Sequence, residues 1–305
     1  MAKRVVSVSL GSSRRDSVAE VEVLGERVVL ERRGTDGDFQ GALCLIRELD
    51  GKVDAIGLGG IDLYLVAGGR RYAIRDARRL KEAAKRTPVV DGSGLKHTLE
   101  RRAIYELASL IDWRRTRVLV PSAVDRFGLA EALEGVGARV LYGDFIFALG
   151  LPIPLYRLSF LQKLAFVLLP LLTQLPFGLL YPTGKEQERQ VRDWRARYYR
   201  WADLVAGDWH YLRRYMPEDM RGKTVLTNTT TLEDLEFLKA RGVARLITTT
   251  PRLGGRSFGT NVMEAMLVAL AGRELGEEDY LRYIDLLGLT PQVLDLDGAR
   301  KQEGA

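Results

Sequence analysis

Cysteine, histidine and asparagine are scarce in this chain of 305 residues. The single cysteine, Cys44, excludes an internal disulfide and a cysteine-rich metal site. It lies in the apolar run Ala42-Leu43-Cys44-Leu45-Ile46, which predicts burial in a helix face rather than reactivity. Asparagine occurs only twice while arginine is abundant, a composition typical of a thermophile or a GC-rich genome.

A second absence is any long block of like charge. The formal net charge is +6 and the pI is about 9.4, but basic residues alternate with acidic ones, as in Glu186-Gln187-Glu188-Arg189. This pattern indicates solvated, ion-paired helix faces and argues against a nucleic-acid partner. The first residues lack the apolar stretch of a secretory signal, so we expect a cytoplasmic protein.

Long apolar runs are also missing, although one segment comes close. A membrane span needs about 20 consecutive apolar residues. In the apolar segment 158–181, charged or polar residues and two prolines interrupt the pattern, and the longest unbroken run is Leu164 to Leu172. We predict an apolar helical insertion at about 151–200. A span, a peripheral lid on a membrane surface or acyl group, and a packing element stay open. We favour packing in a homo-oligomer, because so large an apolar surface is rarely left exposed.

What is present is a series of short apolar runs, each followed by small or polar residues. The runs are 118–120, 140–142, 204–206, 225–226 and 246–247, with helical patterns between them. Continuous apolar strands that alternate with helices predict a parallel sheet covered on both faces. We therefore predict an α/β fold of two domains, 1–115 and 116–305, with a Rossmann-like doubly wound parallel sheet in the second.

The strand ends of the second domain carry the first set of candidate residues. Ligands of such sheets bind beyond the carboxyl ends of the strands, where a nucleotide would meet polar side chains. The turn after the first strand keeps only Gly128 of the Gly-x-Gly-x-x-Gly pattern, but helix-terminal amides near Ser122 could still hold phosphate. Asp144 lies about where the ribose-binding acid of these folds is found. We predict NAD or NADP contacts by Ser122, Asp125, Asp144, Asn228, Thr229 and Thr249.

A second set of candidates could bind an anionic substrate and transfer a proton. Lys96 and His97 open a helix after a glycine-rich junction, and Asp208 and His210 follow a strand. Imidazole, ammonium and carboxylate groups are typical acid–base residues, so we predict catalytic roles for these four. For substrate binding we predict Asp62, Asp91, Ser93 and Arg213. The glycines of Gly57-Leu58-Gly59-Gly60 fit close backbone packing at least as well as a cofactor.

Several phrases together resemble bacterial proteins of the quinate/shikimate 5-dehydrogenase-like family. They are 7–13, 57–64, 90–95, 206–208 and 228–231, and the similarity covers nearly the whole chain. The resemblance implies a substrate domain, an NAD(P)-binding domain and hydride transfer at the cleft between them. Our leading hypothesis is an NAD(P)-dependent oxidoreductase of a small hydroxylated carboxylic acid. The alternative is a non-catalytic ligand-sensing or scaffold protein that associates with a membrane surface or partner through segment 158–181.

Overall fold

The computed structural model describes residues 2–176, 178, 190–250, 252–253 and 256–296. The chain divides into two compact units. Unit 1 contains residues 1–98, 166–187 and 252–289, and unit 2 contains residues 99–165, 188–251 and 290–305. The predicted single boundary near residue 115 is corrected by this division. Two segments predicted to belong to the second domain, 166–187 and 252–289, are assigned to unit 1 instead.

Unit 1 is built on a five-stranded sheet of order β2-β3-β1-β4-β7, in which only the β2–β3 pair is antiparallel. A separate hairpin consists of β5 and β6. The strands are β1 (Lys3–Ser9), β2 (Ser17–Val23), β3 (Glu26–Gly34), β4 (Ala55–Gly59), β5 (Tyr64–Ala67), β6 (Arg70–Ala73), β7 (Val89–Val90), β13 (Arg252–Leu253) and β14 (Arg256–Ser257). The helices are α1 (Phe39–Leu49), α2 (Arg75–Ala83), α10 (Thr260–Ala271) and α11 (Glu277–Leu286).

Left-handed turn residues form the β2–β3 and β5–β6 hairpins. Leu24 and Gly25 have φ angles of 53° and 79°, and Gly68 and Gly69 have 56° and 74°. Two consecutive residues with positive φ are typical of the type I′ turn that joins twisted antiparallel strands. One local prediction for unit 1 is wrong: Cys44 is exposed, because α1 buries Ala42, Leu43, Ile46 and Leu49 and turns position 44 outward.

Helix α10 is the main covering element of the unit 1 sheet and contacts β1 and β4. Every residue from Val262 to Ala269 is buried. The approach is close enough that a Cβ on Gly57 would lie 2.7 Å from the Asn261 carbonyl oxygen. Asn261 also donates a hydrogen bond of 2.8 Å to the Ser7 hydroxyl. The backbone at the start of α10 therefore packs directly against the backbone of β4.

Unit 2 contains the doubly wound sheet predicted from the sequence. Its order is β15-β12-β11-β10-β8-β9, with five parallel strands and an antiparallel edge strand. The strands are β8 (Arg117–Val120), β9 (Arg139–Tyr142), β10 (Leu204–Ala206), β11 (Thr224–Thr227), β12 (Arg245–Thr248) and β15 (Gln292–Asp295). The helices are α4 (Phe127–Gly135), α5 (Asp144–Phe147), α7 (Ala196–Trp201), α8 (Trp209–Tyr215) and α9 (Leu232–Ala240). The predicted α/β fold class is confirmed.

The winding of unit 2 reverses at its first strand. Chain progression moves from β8 outward to β9, then returns to the other side of β8 for β10, β11 and β12. The carboxyl ends of β8 and β10 flank this switch point, where ligands of open α/β sheets bind. Aromatic residues of unit 2 pack together in its core, with Phe147 edge-on to Tyr198, Tyr199 and Tyr215.

Two further helices run through residues assigned to both units. They are α3 (Ser93–Glu106) and α6 (Leu158–Leu172), the latter within the predicted apolar insertion. Part of that insertion, residues 177 and 179–189, lies outside the described residues. Within the described part of the chain, no helix is both long and apolar enough to cross a membrane.

Candidate functional site

The first group of candidate residues lies at the carboxyl edge of the unit 1 sheet. Lys96, on the first turns of α3, places its ammonium nitrogen 3.2 Å from a carboxylate oxygen of Asp62, three residues beyond β4. The Lys96 side chain is only 6% exposed, while that of Asp62 is 21% exposed. The structure thus brings together two predicted residues as a mostly buried ion pair with one accessible side.

Asp91 and Ser93 lie in the same region but serve the local fold. One Asp91 oxygen accepts hydrogen bonds from the Ser93 amide and hydroxyl, and the other accepts from the Leu63 amide at 2.6 Å. These bonds tie the end of β7 to the segment after β4. Asp91 and Ser93 thus bind one another and the backbone, and their predicted substrate-binding role stays a prediction.

A buried acid that the sequence analysis missed lies beside Asp91. Glu264, on α10, is 4% exposed and accepts a short hydrogen bond from the Tyr280 hydroxyl. Among the described residues, its second oxygen has no hydrogen-bond partner. Burial and the charge of Asp91 raise the pKa of Glu264 to about 7, against the bond from Tyr280, which lowers it. A single acid within the apolar sequence Val262-Met263-Glu264-Ala265-Met266 was the signal available.

The glycines of this edge are used for close packing. Gly92 has φ of 90°, and a Cβ there would lie 2.5 Å from the Asn261 amide nitrogen. A Cβ on Gly60 would lie 3.2 Å from the Gly11 amide nitrogen. The backbone is the close neighbour in both cases. The glycines of segment 57–60 therefore allow close backbone packing, one of the two roles considered for them from the sequence.

In unit 2, a buried arginine occupies the switch point. Arg126 follows β8 and its side chain is 4% exposed. It forms ion pairs with Glu100, also buried, with Asp125 at 3.3 Å and with Asp208 at 3.1 Å. Burial opposes the charge of Arg126, but these carboxylates outweigh it and raise the pKa of the guanidinium. Sequence analysis assigned no role to Arg126, because its partners come from separate segments of the chain.

Asp144 lies near the predicted place but binds the protein rather than a ribose. One of its oxygens accepts hydrogen bonds of 3.0 Å from both the Ala123 and Val124 amides, in the turn after β8. Among the described residues, the other oxygen has no hydrogen-bond partner. Burial, against the two amide bonds, raises the pKa of Asp144 to about 6. A side-chain carboxylate therefore holds amides that a nucleotide phosphate would need.

The other predicted nucleotide contacts are mostly committed as well. Asn228 accepts from the Trp209 amide and donates to Asp208, which joins the ends of β10 and β11. Thr249 is buried and its amide donates to the Thr227 carbonyl at 2.8 Å. Ser122 and Thr229 are half-buried at the same edge. The residues around the switch point do not fit a dinucleotide in the manner of the Rossmann phosphate turn.

Asp208, His210 and Arg213 lie at and after the end of β10. Asp208 caps α8 by accepting from the His210 and Tyr211 amides, and the His210 side chain is exposed. Arg213 binds Asp234 at 3.0 Å, at the first turn of α9. The catalytic roles of Asp208 and His210 and the substrate-binding role of Arg213 stay predictions. His97 is half-buried on α3. The catalytic roles of Lys96 and His97 likewise stay predictions.

A comparison with family models identifies the larger part of the chain. Residues 94–296 match the model described as Domain of unknown function (DUF8754). The chain belongs to this family. Residues 4–91 match a second model, Domain of unknown function (DUF8753), so the two matches meet just before α3. No curated protein matches the chain.

Solved structures similar to this DUF8754 chain have low identity. A periplasmic ribose ABC transporter protein from Conexibacter woesei DSM 14684 is 10% identical, with 100% of this chain and 96% of the other covered and a TM-score of 0.38. For GanP, a glucose-galactose binding protein from Geobacillus stearothermophilus, the values are 10%, 97%, 98% and 0.39. For hetero-hexameric glutamate dehydrogenase from Thermus thermophilus they are 12%, 94%, 73% and 0.42. TM-scores this low do not establish a shared fold.

Neither a surface groove nor a metal-binding group provides a stronger candidate site in the described part of this chain. A groove of about 500 Å³ is lined by exposed residues of α2 and by Leu63 and Tyr64, and it does not include Lys96 or Asp62. In the described part of the chain, no group of three or more histidine, cysteine, aspartate or glutamate residues could hold a metal ion. The Lys96–Asp62 pair is thus the candidate site that combines burial, charge and an accessible atom.

Proposed function

We propose that unit 1 binds a small polyhydroxylated molecule through Lys96 and Asp62. The observation that carries this proposal is the pairing of an almost fully buried ammonium group with a carboxylate that keeps 21% of its side-chain surface open, at the carboxyl edge of a mainly parallel sheet. Ligands of such sheets bind at this edge. The pair offers both kinds of hydrogen-bonding group that hydroxyls require.

The chemistry of the pair fits an alcohol-rich ligand. A carboxylate accepts hydrogen bonds from two hydroxyls, and an ammonium group donates to hydroxyl or ring oxygens. Because a buried ion pair adds little stability over apolar side chains of similar size, a binding role accounts better for its presence here than a stabilising one does. A carboxylate on the ligand would add a second acceptor for Lys96.

The proposal is one of binding and does not include a nicotinamide nucleotide. In unit 2 the Ala123 and Val124 amides already bind Asp144, and Asp208 already pairs with Arg126. An incoming pyrophosphate would have to displace a buried carboxylate from its hydrogen bonds. These contacts support a binding protein over the NAD(P)-dependent oxidoreductase, which the same experiment tests.

The experiment is a thermal-shift series on the full chain with three groups of probes at millimolar concentration. Neutral polyols are D-ribose, D-glucose and myo-inositol; the carboxylated polyols are quinate and shikimate; the nucleotides are NAD and NADP. A ligand at about 100 times its Kd adds roughly 2.7 kcal/mol of stability, which raises the Tm by several degrees. Lys96→Met and Asp62→Asn keep the side-chain volumes, and Lys239→Met removes an exposed lysine as the matched control.

We expect a shift with at least one polyol in the wild type and the control, and its loss in both site variants. A shift by the carboxylated group alone would assign the ligand to acids of the quinate type. Equal shifts in the wild type and Lys96→Met would overturn the proposed site. A shift with NAD or NADP and with no polyol would favour the oxidoreductase instead.

A further inference from the structure

Helix α6 carries large apolar side chains on the side that faces solvent. Phe166, Val167 and Leu171 are 52%, 68% and 69% exposed. The guanidinium of Arg70, on the β5–β6 hairpin, lies 4.7 Å from the centre of the Phe166 ring. We call Phe166, Val167, Leu171 and Arg70 the α6 surface. A stripe of the same helix extends it through Lys163 and Phe160, since residues three or four apart share a helix face.

The exposed apolar residues are not needed to hold α6 in place. The opposite face of the helix buries Leu158, Leu161, Ala165 and Leu169, each 6% exposed or less. At its end, the Thr173 carbonyl accepts a hydrogen bond of 3.0 Å from the Arg75 amide, which fastens α6 to α2. The helix is thus apolar on two faces, one packed in the protein and one turned outward.

The stretch of sequence that contains α6 carries charge of one sign. No aspartate or glutamate occurs between Asp144 and Glu186, although the whole chain contains 40 acidic residues. Within that stretch Arg157 and Lys163 are exposed, and Arg70 and Arg71 are exposed on the neighbouring hairpin. Exposed apolar and aromatic side chains together with cations are typical of helices that lie in the plane of an anionic membrane surface.

We propose that the α6 surface binds anionic lipid bilayers, with α6 in the membrane plane and its cations at the headgroups. At 15 residues, the helix is about 22 Å long, too short to cross the hydrocarbon core but long enough to lie along its boundary. This interaction is separate from ligand binding at Lys96 and Asp62 and does not depend on it.

Charge favours a bilayer over a second copy of the chain. A two-fold dimer places the same patch of each copy against the other. The α6 surface would then bring Arg70 and Lys163 of both copies together without a carboxylate from this stretch, and facing like charges oppose association. An anionic bilayer supplies the missing negative charge, at about 1 kcal/mol for each cation near the membrane surface, or about fivefold in affinity.

The test is co-sedimentation of the full chain with phosphatidylcholine vesicles and with vesicles containing 30% phosphatidylserine, at low and at high salt. The apolar variant is Phe166→Ser/Val167→Ser/Leu171→Ser. Its matched control changes three equally exposed apolar residues elsewhere, Val18→Ser/Leu232→Ser/Leu286→Ser, which are 63%, 77% and 55% exposed. Circular dichroism and light scattering report folding and oligomeric state for every variant.

We expect salt-sensitive binding of the wild type and the control to anionic vesicles, and at least about tenfold weaker binding of the apolar variant. Arg70→Gln and Lys163→Gln should each weaken binding about fivefold. Absence of vesicle binding by the wild type would overturn the proposal. Dissociation of a wild-type oligomer by the apolar variant, without vesicle binding, would assign the surface to a second copy instead.

Discussion

Replacing Glu264 with glutamine should stabilise the protein strongly at pH 8 and much less at pH 5. Glu264 is buried between Asp91 and Tyr280, with one oxygen bonded to the Tyr280 hydroxyl. Glutamine keeps that acceptor and removes the charge that forms on Glu264 at high pH. It also resembles the protonated acid at the other terminal atom, so little should change where the acid is already protonated.

The sign and size of this change in stability follow from the pKa of Glu264 in the folded and the unfolded protein. Burial and Asp91 raise the pKa of Glu264 from an ordinary value of 4.5 to about 7 in the folded protein. Well below pH 4.5, Glu264 is protonated in both the folded and the unfolded state, so its burial in charged form costs no stability. As the pH rises toward 7 the unfolded chain loses its proton first, so the folded state loses stability. Above pH 7 the loss reaches about 3 kcal/mol, which Glu264→Gln should recover.

The assay is thermal denaturation of the wild type and Glu264→Gln at pH 5, 6, 7 and 8. At about 2–4 °C per kcal/mol, we expect the Tm difference to grow from about 2–3 °C at pH 5 to roughly 6–12 °C at pH 8. Asp144, whose pKa is also raised, titrates in both proteins and cancels in the difference. Glu278→Gln, at an exposed position of α11, is the control. A difference that does not change with pH would refute the reasoning.

Two other variants test the packing of each unit. Arg126→Met should destabilise unit 2 by about 3–5 kcal/mol, because it leaves the buried Glu100 without its cation, and Glu100→Leu in the same chain should restore much of the loss in urea denaturation. Gly92→Ala should cost more than Gly222→Ala in the same assay, since both positions have positive φ but only Gly92 has a backbone neighbour, Asn261, where the Cβ would lie. Equal costs for the two alanine variants would contradict the close approach of α10.

The elements that local pattern determines were predicted well. The five parallel strands of unit 2 were found because each is a short apolar run followed by small or polar residues. The boundary was placed differently because a linear reading assigns each segment to one side of a single division. Residues 252–289 return to unit 1 through contacts with β1 and β4, and nothing local in α10 indicates which sheet it covers.

The candidate site was predictable only as a set of residue types. Asp62 and Lys96 were chosen for their place at strand and helix ends, but 34 positions separate them and their ion pair is a tertiary contact. Asp144 was chosen for its position after the second strand of the sheet. Its carboxylate faces the predicted edge, yet it binds amides of its own chain, because a buried carboxylate takes the nearest donors. Position along a strand predicts the neighbourhood of a side chain but not its partner.

The return of α10 to unit 1 also constrains the order in which the protein can be completed during synthesis. The strands of the unit 1 sheet all lie within the first 90 residues. Its covering helix follows much later in the chain, and Asn261 lies 254 positions after its partner Ser7. Chains emerge from the ribosome N-terminus first. The apolar face of β1 and β4 therefore stays uncovered by α10 while the parallel strands of unit 2 are synthesised. The five parallel strands of unit 2 all precede α10, so they can pair before the sheet of unit 1 is covered. The N-terminal sheet is therefore made first but covered only after these strands, and β15 then completes unit 2.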